Sequence, residues 1–232
     1  DWLDAELGEW YRIKTCIEGF PDFAAFNLKG SCYPVVNRRL NFVLKNRVEL
    51  KYLIDSELYG EILRYIQPYC LKDSFIPPDL QSYKIESLYF DTDNLLFYRT
   101  KKSGFAQRLK IRARRYPDCP ESRINLEIKQ KFRDFIYKTR ASAPVENWSH
   151  FLENPLVWQP NGGGQAEKDA FENFMYHYRL YRCHPTILIY YEREAYVSQM
   201  DYYARVTFDR HVQSARSTNC SFDIGAKDWK AV

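Results

Sequence analysis

The residues of this chain with the clearest capacity for chemistry are arginines and lysines that recur at every second position. Within segments 105–116 and 122–131 they share one phase of the alternation, as Arg108, Lys110, Arg112 and Arg114, then Arg123, Lys129 and Lys131. Successive side chains of a strand point to opposite faces, so each segment would carry its charges on one face. Arginine pairs bidentately with phosphate oxygens and lysine adds a point charge, so this pattern favours an anion with several phosphates.

Similar alternation is found in other parts of the chain. The residues that share a face there are Arg47, Glu49 and Lys51; Tyr191 and Arg193; and Arg205, Thr207 and Asp209. Same-face neighbours lie roughly 6.6–7 Å apart, and like charges that face each other across strands are destabilising. A face that is only solvated would interleave more acids among the cations. We therefore expect an anionic ligand to neutralise these faces.

Hydrophobic periodicity indicates the elements that would position these residues. Alternation predicts strands over residues 47–54, 83–91, 95–100, 105–116, 122–131, 134–141, 186–197 and 202–209. Helical spacing predicts helices over 56–67, with Ser56 as the N-cap, and over 166–182. These helices can cover the aliphatic faces of the strands. We therefore expect an α+β fold, in which an antiparallel β-barrel has its charged face around a water-filled tunnel and its helices packed outside.

Composition and charge narrow the classes of function. The chain is 45% hydrophobic and 17% aromatic, which is enough for a packed core. Residues 99–140 contain fourteen Lys or Arg against four acids, in a chain of net charge +4, so the anionic ligand should be localised. Aliphatic rather than aromatic residues alternate with these cations, which argues against nucleic acid as a partner. No run approaches the ~18 apolar residues of a membrane span.

Three further features bear on location, domains and metals. The six cysteines lack the spacing of a zinc site and are expected to be reduced thiols in a cytoplasmic protein. Residues 1–42 show no clear period and are predicted to be an irregular leader of unknown role, followed by one domain over 43–232. Carboxylates interspersed among the cations could hold Mg²⁺ or Mn²⁺, which prefer oxygen ligands. Metal and cations together would stabilise the charge on a transferring phosphoryl group.

Six short motifs occur in order on the predicted strands. They are RVELKY at 47–52, SLYFDT at 87–92, KIRARRY at 110–116, LEIKQK at 126–131 with KTR at 138–140, YYEREAY at 190–196, and RVTFD at 205–209. Together they resemble the strands of the CYTH-like triphosphate tunnel metalloenzyme superfamily, and within it the VTC-type polyphosphate polymerase domain. The resemblance covers about residues 44–210. It implies the tunnel fold that the charged faces favour.

The resemblance also implies an activity and a set of site residues. The activity is metal-dependent transfer of the γ-phosphate of ATP to inorganic polyphosphate, with Mn²⁺ or Mg²⁺ as cofactor and ADP as the second product. The implied catalytic residues are Lys51, Arg112, Arg114, Lys129 and Arg193. The implied further substrate-binding residues are Arg47, Lys110, Lys131, Lys138, Arg140, Tyr191 and Arg205. Glu49 and Glu127 would organise these cations or bind the metal. The resemblance leaves open a location at the cytosolic face of a membrane and a partner in that membrane.

The chain departs from the family pattern at two places. Arg47 stands where the hydrolase branches carry a first glutamate, which favours the polymerase branch. The family continues past the equivalent of Asp209 with strands that bring a metal-binding glutamate and a Ser-Lys pair. We therefore expect the chain to be a fragment with an open, inactive barrel. Two alternative functions stay open: a triphosphate hydrolase of the same superfamily, and a non-catalytic module that binds polyphosphate or inositol phosphates.

Overall fold

The structure is a computed structural model that describes residues 11–18, 47–119, 123–133, 135–146, 148–160, 164–200, 204–223, 225 and 229–232, with the backbone alone for 11–18 and 47–49. The strands are β1 (Tyr11–Glu18), β2 (Arg47–Ile54), β3 (Cys70–Lys72), β4 (Tyr83–Asp91), β5 (Gln107–Arg115), β6 (Ile124–Phe132), β7 (Phe135–Ala143), β8 (His184–Ser198), β9 (Arg205–Arg216) and β10 (Lys230–Ala231). The α-helices are α1 (Ser56–Ile66), α2 (Leu96–Lys102), α3 (His150–Glu153) and α4 (Gly164–Leu180).

The described residues form two compact units. The first contains Tyr83–Glu192 and His211–Val232, and the second contains Arg193–Arg210 and the described residues up to Ser82. Strands β8 and β9 are therefore each divided between the two units. Each unit has its own hydrophobic core.

The first unit is built on strands that pair in the order β8-β4-β5-β6-β7. The pairs β4–β5, β5–β6 and β6–β7 are all antiparallel. One face of these strands is apolar and includes Ile111, Leu126 and Ile128, each at most 1% exposed. Helix α4 covers this face with Phe171, Phe174 and Met175, which belong to the same core cluster. The predicted helix over 166–182 and its role as a cover for the apolar face are confirmed.

The second unit has a smaller core beneath α1. Strand β1 pairs with both β2 and β9, and β3 pairs with β8, all antiparallel. Ile66 of α1 packs with Ile54 of β2 and Phe208 of β9. The helix is N-capped by Asp55, whose carboxylate accepts a hydrogen bond from the Leu58 amide at 2.8 Å. The prediction of Ser56 as the cap was wrong, because the capping oxygen lies one residue earlier and Ser56 is already helical.

The segment predicted as a strand over 95–100 is the helix α2, so that prediction was wrong. The Asp91 carboxylate accepts hydrogen bonds from the amides of Phe97 and Tyr98, both at 2.9 Å, and thereby satisfies the first turn. Thr92 also accepts through Oγ1 from the Leu96 amide at 3.0 Å. Burial of Phe97 in the first core then fixes the helix. A short apolar run fits either period, and its tertiary contacts decide between them.

The antiparallel sheet with helices is confirmed as the fold class. Among the described residues the strand path runs β2-β1-β9-β8-β4-β5-β6-β7 and is not closed into a barrel. Strand β1 occupies part of the segment 1–42, for which the sequence predicted no regular element. The domain boundary between residues 42 and 43 stays a prediction.

Candidate phosphate-binding face

The charged face of β5, β6 and β7 in the first unit brings together most of the predicted site residues. The strand register places Arg112 opposite Glu127, and Glu127 opposite Arg140. In the next row, Lys110 lies opposite Lys129, and Lys129 opposite Lys138. Beyond it, Lys131 lies opposite Arg108 of β5 and Ile136 of β7. Cations that lie far apart in the sequence are thus cross-strand neighbours.

Glu127 is the centre of this cluster. Its side chain is only 2% exposed, and both of its oxygens accept from cations. Arg112 donates to Oε2 from Nε at 2.7 Å and also from Nη2. Arg140 donates to Oε1 from Nε at 2.8 Å, and Lys138 Nζ lies 3.5 Å from the same oxygen. One buried carboxylate therefore holds three of the predicted substrate-binding cations in place.

The ionisation of Glu127 follows from these contacts. Burial raises the pKa of the carboxyl group, because a low-dielectric site disfavours the charged form. Attraction by Arg112, then Arg114, Lys138 and Arg140, outweighs burial and lowers the pKa to about 2. Glu127 is thus a carboxylate throughout the neutral range. Its single negative charge is shared among several positive ones, so the cluster keeps a net positive charge.

Arg114 lies on the same face of β5 and is almost fully buried, with 8% exposure. Its Nε donates to Ser87 Oγ at 2.9 Å, and its Nη2 donates to the Tyr191 hydroxyl at 3.3 Å. The three residues come from β5, β4 and β8. Tyr191, which the resemblance implied as a substrate-binding residue, thus contacts Arg114 in the first unit. Neutral hydroxyls orient the guanidinium without cancelling its charge.

The lysine row is more exposed than the arginine row. Lys110, Lys129 and Lys138 are all exposed residues. Burial lowers the pKa of the Lys138 ammonium, Glu127 raises it, and Arg140, Arg112 and Arg114 lower it further, so that the net direction is downward. Three cations that face each other across neighbouring strands repel, which is unfavourable for a face that is merely solvated. An anion with several charges would relieve this repulsion.

The other predicted cations lie in the second unit. Arg193 donates to the buried Asp209 through two bonds, Nε to Oδ1 at 2.6 Å and Nη2 to Oδ2 at 2.7 Å. Arg205 forms an ion pair with Asp73. Lys51 is an exposed residue on β2. The side chains of Arg47 and Glu49, also on β2, lie outside the described residues.

The geometry does not favour Glu127 as a metal ligand. Guanidinium groups bind both of its oxygens, and a metal ion would have to compete with them. Over the part of the chain that the structure describes, no group of three or more His, Cys, Asp or Glu side chains is placed to hold a metal ion. Glu127 fits the other predicted role, that of organising the cations. The second predicted ligand, Glu49, falls among the side chains that are not described.

The structure also identifies residues that the sequence did not single out. Tyr89 accepts a hydrogen bond from Arg112 Nη1 at 3.1 Å, and Ser87 accepts one from Arg114. In the second unit, Glu194 accepts from the Tyr59 hydroxyl at 2.9 Å and pairs with Arg210. Ser87 and Tyr89 belong to the SLYFDT motif and share one phase of its alternation. That phase was the available indication that both face the cations of β5.

The sheet of the first unit thus has one face covered by a helix and, on the other face, arginines and lysines around a buried carboxylate. The family model of the VTC domain matches residues 46–231. The chain therefore belongs to the VTC domain family, which is part of the tunnel-fold superfamily and is associated with polyphosphate synthesis. No curated protein matches the chain. None of the helices described here is long and apolar enough to cross a membrane.

Proposed function

We propose that this domain is an ATP-dependent polyphosphate polymerase domain that holds a polyphosphate chain on the charged face of β5, β6 and β7. The observation that carries the proposal is the single buried carboxylate, Glu127, among Arg112, Lys138 and Arg140. Such an arrangement fixes the guanidinium groups in advance and leaves an excess of positive charge. Membership of the VTC domain family supports the same function.

In the proposed reaction a terminal oxygen of the polyphosphate chain attacks the γ-phosphorus of ATP. The new bond is P–O, the bond between the γ-phosphorus and the β–γ bridging oxygen breaks, and ADP leaves with the electron pair. Arg112, Arg114 and Lys129 would bind the transferring and product phosphates, assisted by Lys110, Lys131, Lys138, Arg140 and Tyr191. Their positive charge would stabilise the negative charge spread over the phosphoryl oxygens.

Several finer predictions belong to the same proposal. Lys51, Arg193 and Arg205 keep the phosphate-binding role predicted from the sequence, as does Arg47. Closure of the sheet into a tunnel is supported by the family. The Mg²⁺ or Mn²⁺ requirement stays a prediction that removal of divalent ions by EDTA would test. Three of the described cysteines, Cys119, Cys183 and Cys220, are free thiols, which supports a reducing, cytoplasmic location.

One observation favours a second candidate, a non-catalytic module that binds polyphosphate or inositol phosphates. Both oxygens of Glu127 are engaged by arginines, so this carboxylate is available neither to a metal ion nor as a general base. The charged face would then bind phosphates without turning them over. The two candidates share the binding site and differ in the fate of ATP.

The fate of ATP labelled at its γ-phosphate tests both candidates. The protein is incubated with this ATP, polyphosphate and Mg²⁺ or Mn²⁺, and the products are separated by electrophoresis. Growth of labelled chains with release of ADP supports the polymerase, and labelled orthophosphate alone indicates a hydrolase. Bound polyphosphate with unchanged ATP indicates the binding module. Absence of both binding and turnover contradicts the proposal.

Arg140→Ala provides the matching residue test. Arg140 is an exposed residue that donates to Glu127, and we expect its loss to weaken polyphosphate binding and slow chain growth by tenfold or more. The matched control is Lys168→Ala, since Lys168 is an exposed cation of α4, whose core-facing side chains pack on the opposite, apolar face of the sheet. If both variants behave alike, the charged face is not the site.

A further inference from the structure

Tyr89 lies in the same cross-strand row as Arg112, Glu127 and Arg140. Its hydroxyl oxygen accepts a hydrogen bond from Arg112 Nη1 at 3.1 Å, while Nε of the same guanidinium donates to Glu127 at 2.7 Å. The guanidinium carbon also lies 5.8 Å from the centre of the Tyr89 ring. Arg112 is therefore held from two sides, by a phenol on β4 and a carboxylate on β6.

The phenol is surrounded mainly by positive charge. The charges that act on it are those of Arg112, Arg114 and Lys110 on β5. Glu127 of β6 and Arg140 of β7 lie in the same cross-strand row, Lys138 of β7 pairs with Glu127, and Tyr191 of β8 accepts from Arg114. Burial raises the pKa of the Tyr89 phenol, but attraction by Arg112, Arg114 and Lys110 outweighs burial and lowers the pKa to about 8. The cations that would bind phosphate are thus the ones that stabilise a phenolate.

We propose that Tyr89 positions Arg112 for phosphate binding, and that its phenolate and a bound phosphate compete for the positive charge of this cluster. The inference rests on the proposed phosphate-binding function. When the phenol is protonated, it orients the guanidinium and adds no charge. When it is ionised, it supplies a negative charge that an incoming phosphate repels. Phosphate binding then favours the neutral phenol and takes up one proton.

The direction of the pH dependence follows from this competition. A bound anion raises the pKa of a neighbouring phenol, because like charges disfavour ionisation. Below about pH 8 the phenol is neutral with or without ligand, so Tyr89 makes no contribution to the pH dependence. Above about pH 8, the affinity for phosphate falls by up to about tenfold per pH unit. Lys138, whose pKa is lowered, adds to this loss, so a Tyr89 variant is needed to separate the two.

Ultraviolet absorbance of tyrosinate tests whether the Tyr89 phenol ionises among these cations and whether a bound phosphate opposes its ionisation. We expect one tyrosine of the unliganded protein to ionise near pH 8, and this step to be absent from Tyr89→Phe. Tyr176→Phe is the matched control, because Tyr176 is an exposed tyrosine of α4, and we expect it to keep the step. Saturating tripolyphosphate should move the step of the unmodified protein upward by about one pH unit or more. A missing step, or a step that tripolyphosphate does not move, overturns the proposal.

Tripolyphosphate affinity, measured by calorimetry from pH 7 to pH 9, tests whether the phenolate weakens phosphate binding. The unmodified protein should lose up to about tenfold more affinity than Tyr89→Phe between pH 8 and pH 9. Calorimetry in buffers with different ionisation enthalpies should also show proton uptake near pH 8.5 by the unmodified protein, and less uptake by Tyr89→Phe. If tripolyphosphate binds at pH 7 but the unmodified protein and Tyr89→Phe have identical pH profiles, or no proton is taken up, only the role of Tyr89 is overturned. No binding at pH 7 overturns the proposed function as well.

Discussion

At the scale of single residues, Glu127 decides how the charged face is organised. It is an acid in the middle of cations, and its side chain is almost fully buried. The guanidinium of Arg112 and that of Arg140 lie on either side of it because they donate to different oxygens of one carboxylate. Without that negative charge, the cations would repel each other and lose their common orientation.

Replacement of Glu127 by glutamine should therefore destabilise the protein. Removal of one partner from a buried ion pair costs about 3–5 kcal/mol, because the remaining charges stay buried and unpaired. The free energy of unfolding can be measured by urea denaturation at pH 7. Glu172→Gln is the matched control, since Glu172 is an exposed acid of α4 that pairs with Lys168, and it should change stability by less than about 1 kcal/mol. Equal effects of the two substitutions would contradict the central role of Glu127.

The low pKa of Glu127 predicts that the folded protein loses stability in acid. The pKa of Glu127 in the folded protein is about 2, against an ordinary value of 4.5, so its contribution to stability is complete above pH 4.5. As the pH falls from 4.5 to 2, protonation should remove about 3 kcal/mol of stability. Urea midpoints at pH 6 and pH 3 would check this loss. Glu127→Gln should lose less stability over this interval, and an unchanged slope would exclude Glu127 as its source.

At the scale of elements, the hairpins β5–β6 and β6–β7 place three lysines in one row. A double substitution of Lys129 and Lys138 by alanine should weaken tripolyphosphate binding by more than tenfold, because two charges of the face are lost. Since like charges across strands repel, folding stability should not fall by more than about 1 kcal/mol. Calorimetric titration and urea denaturation measure the two effects separately. A loss of stability together with unchanged binding would assign these lysines to the fold instead.

Helix α4 supports the same strands from the opposite face. Phe174 has 0% exposure and contacts the rings of Phe90 and Tyr178 edge-on and stacked, respectively. Phe174→Ala should therefore cost about 3–5 kcal/mol, through lost burial and the cavity that remains. Thermal or urea denaturation would measure this cost. Tyr176→Ala removes an exposed ring from the same helix and should have little effect, so similar losses for both would contradict the assigned helix face.

At the scale of the whole molecule, each compact unit has its own core and its own buried carboxylates paired with arginine. In the first unit Glu127 pairs with Arg112, and in the second Asp209 pairs with Arg193. A ligand that binds only the folded protein stabilises it, and the stabilisation increases with the affinity and the concentration of the ligand. The melting temperature should therefore rise with added polyphosphate, and more at low than at high salt, because salt screens exposed charges.

The stabilisation should also depend on the length of the phosphate chain. Cations recur along the charged faces of β5 and β6, in successive cross-strand rows. A longer anion therefore meets more cations than orthophosphate does. At equal phosphate concentration, we expect the rise in melting temperature to increase from orthophosphate through pyrophosphate to tripolyphosphate. A thermal-shift series checks this order. Equal shifts for all three anions would indicate a site for one phosphate only.

Much of this organisation follows from local pattern. Alternation over β2, β5 and β6 predicted strands there and predicted which residues share a face, because side-chain direction in a strand has a period of two. It also predicted β4 as a strand. Helical spacing predicted α4 and its apolar stripe. For the same reason Arg112 and Arg114 could be assigned to one face of β5, and Lys129 to the charged face of β6, before any contact was known. Lys138 was named by the resemblance to the family.

The sequence by itself thus determined the charged and apolar faces, since those depend only on neighbours along the chain. Tertiary structure alone decided which groups meet. Asp91 bonds the amides of α2 and makes a helix of an expected strand, β1 pairs with β2 and β9, and Tyr89 and Glu127 hold Arg112 between them. Those outcomes depend on strand register and on hydrogen bonds between residues far apart in the chain, and no local period encodes either.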